Sequence, residues 1–234
     1  MIEELLELVK KINIELSSEK SEKFIKYKDL LKEWNDKINL TAIVDDKEII
    51  LKHFVDSLTI EKYISENDSV IDIGTGAGFP GIPLKIVKKD INLTLLDSLK
   101  KRLIFLEEVC KKLNLENVKI EHGRAEDYGK NKEFREKYDI ATARAVADLS
   151  VLAEYCLPFV KVGGFFVCMK GNNIEEIEES KKAVEKLGGK IEKVEKIYLP
   201  STDIERNIIL IKKVKATPKD FPRKAGTPSK NPIK

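Results

Sequence analysis

The sequence predicts an α/β protein built on a mainly parallel sheet of about seven strands, and three observations predict it. From Val70 onward, short apolar runs alternate with helical patterns. The first run, Val70-Ile71-Asp72-Ile73, breaks into four glycines within eight residues, Gly74, Gly76, Gly78 and Gly81. The last two runs are joined by a short link around Pro200 to Glu205, with no room for a crossover helix. Alternation of strands and helices implies parallel strands with helices on both faces. A link without a crossover makes the last two strands antiparallel neighbours.

Residues 1–65 read as helices. Leu5, Leu6, Val9, Ile12 and Leu16 recur at helical spacing, as do Phe24, Tyr27, Leu30, Leu31 and Trp34. Ser21 is the expected N-cap of the second helix. A third is expected over about Asp46 to Tyr63, with Ile49, Ile50, Phe54, Leu58 and Ile60 on its apolar face. Strands are predicted over Ser69–Ile73, Asn92–Leu96, Val118–Glu121, Tyr138–Thr142, Phe165–Met169, Ile191–Tyr198 and Asn207–Ile211. Helices are predicted over Lys100–Leu113, Ser150–Phe159 and Ile174–Leu187. This gives an N-terminal helical extension (1–65), the sheet domain (66–214) and a C-terminal arm (215–234).

Composition narrows the class. The 234 residues are 42% hydrophobic, and no apolar run approaches the roughly 20 residues that span a bilayer. The N-terminus lacks the basic-then-apolar order of a signal peptide. Cys110, Cys156 and Cys168 are scattered, which fits free thiols in a cytoplasmic protein. His53 and His122 are the only histidines, and no metal-ligand spacing stands out. A metal-free monomer is expected. The net charge of +3 is uneven: residues 212–234 hold eight Lys/Arg and one acid, a local +7 that leaves −4 for the rest. Such an arm can track a polyphosphate by releasing counterions, or merely keep the chain soluble.

The glycine loop has two registers. From Gly76, it reads as Gly76, Gly78 and Gly81, a dinucleotide fingerprint. From Asp72, it reads as acid-x-Gly74-x-Gly76-x-Gly78, which resembles motif I of the class I S-adenosylmethionine (SAM) methyltransferases. SAM carries an ammonium and a sulfonium and no phosphate, so an acid at the strand end favours the second register. Phe79-Pro80 crowds the place a pyrophosphate would take. The antiparallel end of the sheet agrees: it is the layout of a Rossmann-like SAM-methyltransferase domain.

In a doubly wound sheet the ligand lies at the carboxyl ends of the strands. The second strand ends at Asp97, which can accept from both ribose hydroxyls or cap the following helix. After the third strand, Gly123-Arg124-Ala125-Glu126-Asp127 offers an acid for an adenine amino group. Arg144, at the end of the fourth, either pairs with an acid such as Asp72 or faces substrate. His53 and Trp34 read as structural.

Taken together, these residues resemble the ribosomal RNA small subunit methyltransferase G family, also called glucose-inhibited division protein B. The matching segments are Asn39-Leu40-Thr41-Ala42-Ile43, His53-Phe54-Val55-Asp56-Ser57, Asp72 to Pro83 and Asp97-Ser98-Leu99-Lys100-Lys101-Arg102. They continue with Gly123-Arg124-Ala125-Glu126, Thr142-Ala143-Arg144-Ala145-Val146-Ala147, Arg206-Asn207 and Phe221 to Pro228. The family commonly has Tyr where this chain has Phe221. The resemblance implies methyl transfer from SAM to N7 of a guanine in a loop of 16S rRNA, free or in the small ribosomal subunit. It places Gly74, Phe79, Ala125, Glu126 and Arg144 against the cofactor, and the general methyltransferase pattern adds Asp72, Gly76, Gly78 and Asp97.

Guanine N7 has a free lone pair and no proton, so in-line displacement needs no general base, and positioning supplies the rate. No catalytic acid or base is assigned. Methylating C5 of a pyrimidine would need a cysteine nucleophile, and these cysteines lack a loop setting for one. Exocyclic amine chemistry often uses an Asn/Asp-Pro-Pro-aromatic segment, where this chain reads Ala143-Arg144-Ala145-Val146. A protein or small-molecule substrate is the alternative. Expected phosphate contacts are Arg144, Lys170, Arg206, Arg223, Lys224 and Lys230. Pro218, Pro222, Pro228 and Pro232 are expected to keep the arm extended.

Overall fold

The computed structural model of the chain describes residues 1–144, 147–171 and 175–234. Ala145 and Val146, at the exit of the fourth strand, and Ile174, the expected start of a helix, lie outside the described residues.

The sheet contains β1 (Ser69–Ile73), β2 (Asn92–Asp97), β3 (Val118–His122), β4 (Tyr138–Ala143), β5 (Val160–Lys170), β6 (Gly189–Tyr198) and β7 (Glu205–Lys213). Their order is β3-β2-β1-β4-β5-β7-β6. Strands β1 to β5 are parallel, and β7 runs antiparallel between β5 and β6. The predicted antiparallel pair is therefore present, with the last strand inserted inside the sheet. β1 has apolar residues on both faces because helices cover both. β6 is an edge: Lys190, Lys193 and Lys196 face outward along it, and its register shifts between Ile191 and Lys193. Charges and a bulge both blunt an edge against pairing with another chain.

One face of the sheet carries α1 (Ile2–Lys10), α2 (Ser18–Ile38), a helical run over 46–58, α5 (Gly81–Val87) and α6 (Lys100–Lys112). Leu5, Phe24, Tyr27, Leu31, Phe54, Phe79, Phe105 and Leu106 form one core there. The N-terminal extension thus shares its core with the sheet. Tyr27 donates to the carbonyl of Ala77, so α2 reaches the glycine loop itself. The other face carries α7 (Ala125–Tyr128), α8 (Leu149–Cys156) and α9 (Glu175–Lys186). Leu152, Phe159, Phe166 and Val184 pack there, together with Phe221 and Ile233 of the arm.

Three local expectations are corrected, and one helix, α5, has no counterpart among the expected elements. The N-cap of α2 is Ser17, whose side chain accepts from the Lys20 amide; Ser21 lies a turn inside and donates to the Ser17 carbonyl. The expected helix over Asp46 to Tyr63 is segmented: α3 (Asp46–Ile49), a π-helical turn (Ile50–Val55), α4 (Asp56–Leu58) and a 3-10 turn at Glu61–Tyr63. α5 starts at Gly81 itself, inside the glycine motif, where four glycines mask any helical period. The arm is not extended throughout: Thr227–Lys230 form a short helix, α10, with Pro228 in its first turn. Proline is tolerated there because its missing N–H would be unpaired anyway.

Candidate active site

The carboxyl ends of β1, β2 and β3 open onto a cavity of about 350 Å³. That is within the range of small-molecule sites, about 300–1,000 Å³. Its near wall is Ile73, Gly74, Leu96, Asp97, Ser98, Gly123, Arg124, Ala125 and Glu126. Its far wall is Ala147, Leu152, Tyr155, Gly226 and Ser229.

Gly74 sits at φ +67°, and a Cβ placed there would meet no protein atom within 4 Å. The chain therefore turns left-handed beside open space, which is where glycine is required. Gly78 is a glycine for another reason: a Cβ would come within 2.7 Å of Ile82 and of the Tyr27 hydroxyl. It lets the loop pack against α2 and α6.

Asp97 is 3% exposed and holds the loop in place. Its Oδ2 accepts from the Gly76 amide at 2.9 Å, and its Oδ1 from the Leu99 amide at 2.8 Å. Arg102 stands 3.4 Å from the same carboxylate. Asp72 is fully buried. Its Oδ2 accepts from the Thr75 hydroxyl (2.7 Å) and the Gly81 amide (2.9 Å). Its Oδ1 has no partner among the described residues. Burial pushes its carboxyl up to about 6, against the pull of those two bonds. Glu126 is buried, and its Oε1 accepts from the amide of Gly226 at 2.8 Å, joining the two walls.

Of the nine expected cofactor residues, Gly74, Asp97, Ala125 and Glu126 line the cavity together. The other five stand behind it. Asp72 and Gly76 brace the loop by the bonds above, and Gly78 packs it against the helices. The Phe79 ring is stacked on His53, with centroids 4.5 Å apart. The Arg144 guanidinium lies 5.0 Å from the centre of the Phe79 ring and makes no ion pair with Asp72 among the described residues.

The acid that Arg144 meets is Asp56, at 3.5 Å. Arg206 reaches the same carboxylate, its Nε 3.2 Å from both oxygens. Two guanidiniums, always charged in proteins, thus bracket one acid that is 2% exposed. Arg144 also donates to the Lys52 carbonyl (3.0 Å) and to His53 Nδ1 (3.1 Å). With Nδ1 accepting, Nε2 carries the proton and donates to Thr41 Oγ1 at 2.8 Å. Burial, helped by the Arg144 charge, lowers the imidazole to about 3, so it stays neutral. The π turn in residues 50–55 is what presents both His53 and Asp56 to Arg144; such turns recur where side chains must be re-aimed.

The other expected phosphate contacts divide. Lys170 pairs with Glu176 at 2.9 Å. Arg223 pairs with the buried Glu154 through its Nε, Nη2 and main-chain amide. Only Lys224 and Lys230 are exposed. The structure thus ties Lys170, Arg206 and Arg223, expected at phosphates, to acids of the chain, and for Arg144 it shows the acid-paired alternative, with Asp56 in place of Asp72. The physical reason is burial: a cation at the sheet's edge costs free energy unless an acid comes with it.

Comparison with known proteins decides the family. Residues 20–209 match the family described as rRNA small subunit methyltransferase G. The chain belongs to that family. A ribosomal RNA small subunit methyltransferase G of Acetivibrio thermocellus is 57% identical over 98% of this chain and 95% of its own length. One from Alkaliphilus oremlandii is 55% identical, covering 95% of each chain. The fold is that of the class I SAM methyltransferases. A putative SAM-dependent methyltransferase of Methanococcus maripaludis superposes with a TM-score of 0.55 at 17% identity, over 81% of this chain and 93% of that one. M. jannaschii TYW2, solved with AdoMet, gives 0.53 at 20% identity over 68% and 74%.

The chain is accordingly an rRNA methyltransferase with SAM as its cofactor. The cavity is of nucleoside size: Gly74 faces open space, the Asp97 carboxylate stands at the β2 end, and Leu96, Ala125 and Leu152 are apolar residues of its walls. No helix among the described residues is long and apolar enough to cross a membrane. No cluster of His, Cys, Asp and Glu among them has metal-binding geometry.

Sequence reading named Asp56, Ala147 and Gly226 only within family-matching segments, with no role, and did not single out Leu152, Tyr155 or Ser229. Glu154 could have been flagged as a lone acid in the apolar pattern of Ser150–Phe159. The place of Gly226 is set by a bond to Glu126, a hundred residues away, which no local pattern records.

Proposed function

We propose that this chain methylates N7 of a guanine in a loop of 16S rRNA, by direct in-line displacement and without a general base. The reading is carried by the cavity at the ends of β1 to β3, with Asp97 and the open Gly74 on its near wall. When bound there, SAM would supply an electrophilic methyl group for the N7 lone pair to attack, the S–CH3 bond breaking as N7–CH3 forms and S-adenosylhomocysteine being the leaving group. Asp97 holds the ribose, and Leu96, Ala125 and Leu152 exclude water from the nucleoside. The amide–carboxylate bond from Gly76 to Asp97 keeps the loop shaped before the cofactor arrives, so little reorganisation is needed on binding.

The chemistry of the remaining groups supports this reading. His53 is neutral with both ring nitrogens engaged, and so is poorly placed to take a proton from a substrate. Cys168 is fully buried with its thiol pushed up to about 12, and Cys110 is pushed up to about 11. A thiolate nucleophile for pyrimidine C5 chemistry is disfavoured at both. A nucleophile that needs no deprotonation fits such surroundings. We read the chain as a cytoplasmic monomer that needs no metal.

The test is methyl transfer from labelled SAM to small-subunit RNA prepared from a strain lacking this protein, with the product mapped by cleavage at 7-methylguanine. Label is expected at one guanine, and RNA from the parent strain should accept none. Label on an exocyclic amine, or equal labelling of both RNAs, would sink the reading.

A further inference from the structure

The charged residues that could meet RNA fall into two populations. Arg144, Lys170, Arg206 and Arg223 are tied to Asp56, Glu176 and Glu154. Lys100, Lys101, Arg124, Lys224 and Lys230 are exposed and form no ion pair among the described residues. The second population is not scattered. Arg124 itself lines the cofactor cavity. Lys100 and Lys101 open α6, two and three residues after the lining residue Ser98. Lys224 and Lys230 flank Gly226 and Ser229, which line the opposite wall. Three segments that line the cavity thus each carry exposed cations within three residues of a lining residue, and Arg124 is itself one. Of the acids on those segments, Asp97 and Glu126 are buried and hydrogen-bonded, which leaves Asp127 exposed beside Arg124.

The same arm segment is also a wall of the pocket. Gly226 donates to Glu126, Arg223 is seated on Glu154, and Arg135 donates to the carbonyls of Thr217 (2.6 Å) and Phe221 (2.7 Å). α10 has only one turn with exposed residues at its end, and it is held over the cavity by these bonds, by its buried Pro228 and by Phe221 and Ile233 packed in the core on either side of it.

We propose that the rim formed by Lys100, Lys101, Arg124, Lys224 and Lys230 binds RNA phosphates across the cofactor mouth, and that RNA held there clamps the arm over the cofactor. RNA and cofactor then bind with positive coupling, because each favours the closed arm. The inference rests on the rRNA reading above and adds where the RNA lies and what it does to the pocket. An acidic protein surface is the competing partner for such a rim. RNA is favoured because phosphates recur at a spacing that can bridge both sides of a mouth, and because the family acts on rRNA.

The test is titration calorimetry of the full chain with S-adenosylhomocysteine, which cannot turn over, with and without saturating small-subunit RNA from a strain lacking the protein. RNA should tighten S-adenosylhomocysteine by about fivefold or more, the lower end of ordinary allosteric coupling. Lys224→Ala with Lys230→Ala should leave the affinity without RNA unchanged, abolish the tightening, and reduce the salt slope of RNA binding by about 1.5. Lys100→Ala with Lys101→Ala should reduce that slope similarly. No tightening by RNA in the parent protein, or full tightening in the arm variant, would overturn the proposal. So would equal tightening by poly-aspartate. If the protein methylates rRNA yet shows no coupling, this inference fails alone; if it methylates no rRNA, the functional reading fails instead.

Discussion

The two walls of the cofactor cavity are built in opposite ways. The near wall, from Ile73 to Glu126, comes from the ends of three neighbouring parallel strands, each of which delivers its residue at the point where it turns. The far wall comes from α8 and from an arm that returns after the whole sheet is complete. The near wall holds itself through short-range bonds, such as Gly76 to Asp97. The far wall depends on single long-range contacts, Gly226 to Glu126 and Arg223 to Glu154. Substitutions in the near wall should therefore change cofactor affinity more than stability, and those in the far wall should change both.

Gly74→Val should have the largest effect on binding. A branched side chain enters the cavity, and calorimetry should detect no SAM binding. Left-handed backbone at this position costs a non-glycine residue only about 1–2 kcal/mol, so urea unfolding should remain cooperative. Retained SAM affinity would remove the loop from the near wall. Arg223→Ala should destabilise the fold by about 3 kcal/mol, since it strands the buried Glu154 carboxylate. It should also weaken SAM, because Gly226 loses its anchor. Lost stability with unchanged SAM affinity would break the link between arm and pocket.

Asp97→Ala comes next. The loss of charged hydrogen bonds worth about 1.5–3 kcal/mol should weaken SAM roughly 10–100-fold, read by the same titration. An unaltered dissociation constant would withdraw the ribose assignment. The smallest effect belongs to Asp72→Asn, and it is one of pH. The native carboxyl is raised to about 6 from 3.8, so the folded state binds its proton more tightly than the unfolded chain does. Its contribution to stability is full below about pH 3.8 and is lost as pH rises through about 6. The asparagine variant should gain on the parent across that window, read as the change in urea midpoint between about pH 4 and about pH 7. Parallel pH profiles of the two proteins would show that burial does not perturb this acid.

The same contrast explains what could be read from the sequence. The strands, the antiparallel end and the strand-end residues Gly74 and Asp97 were legible in local patterns of an apolar run ended by a turn; Glu126 was a weak signal of the same kind, and Ala125 came only through the family resemblance. The far wall was not, because nothing near Gly226 or Tyr155 records the partner that gives it a role. Arg144 and Arg206 were legible as charges at the sheet's edge but not as partners of Asp56, which lies 88 residues before the first of them. The π turn that aims Asp56 is a change of helical register, and hydrophobic spacing does not report it.

The place of β7 has a consequence for the order of events during synthesis. β6 is made before β7, yet its neighbour in the sheet is β7, which alone connects it to β5. Until Glu205–Lys213 have emerged, β5 has a bare outer edge and β6 has nothing to pair with. Such open edges are templates for pairing with other chains. The arm that walls the cofactor cavity is made later still. A nascent chain can therefore assemble its glycine loop early, but it becomes a closed sheet with a complete pocket only with its last residues. A chain cut short before β7 is expected to aggregate rather than survive as a partly active fragment.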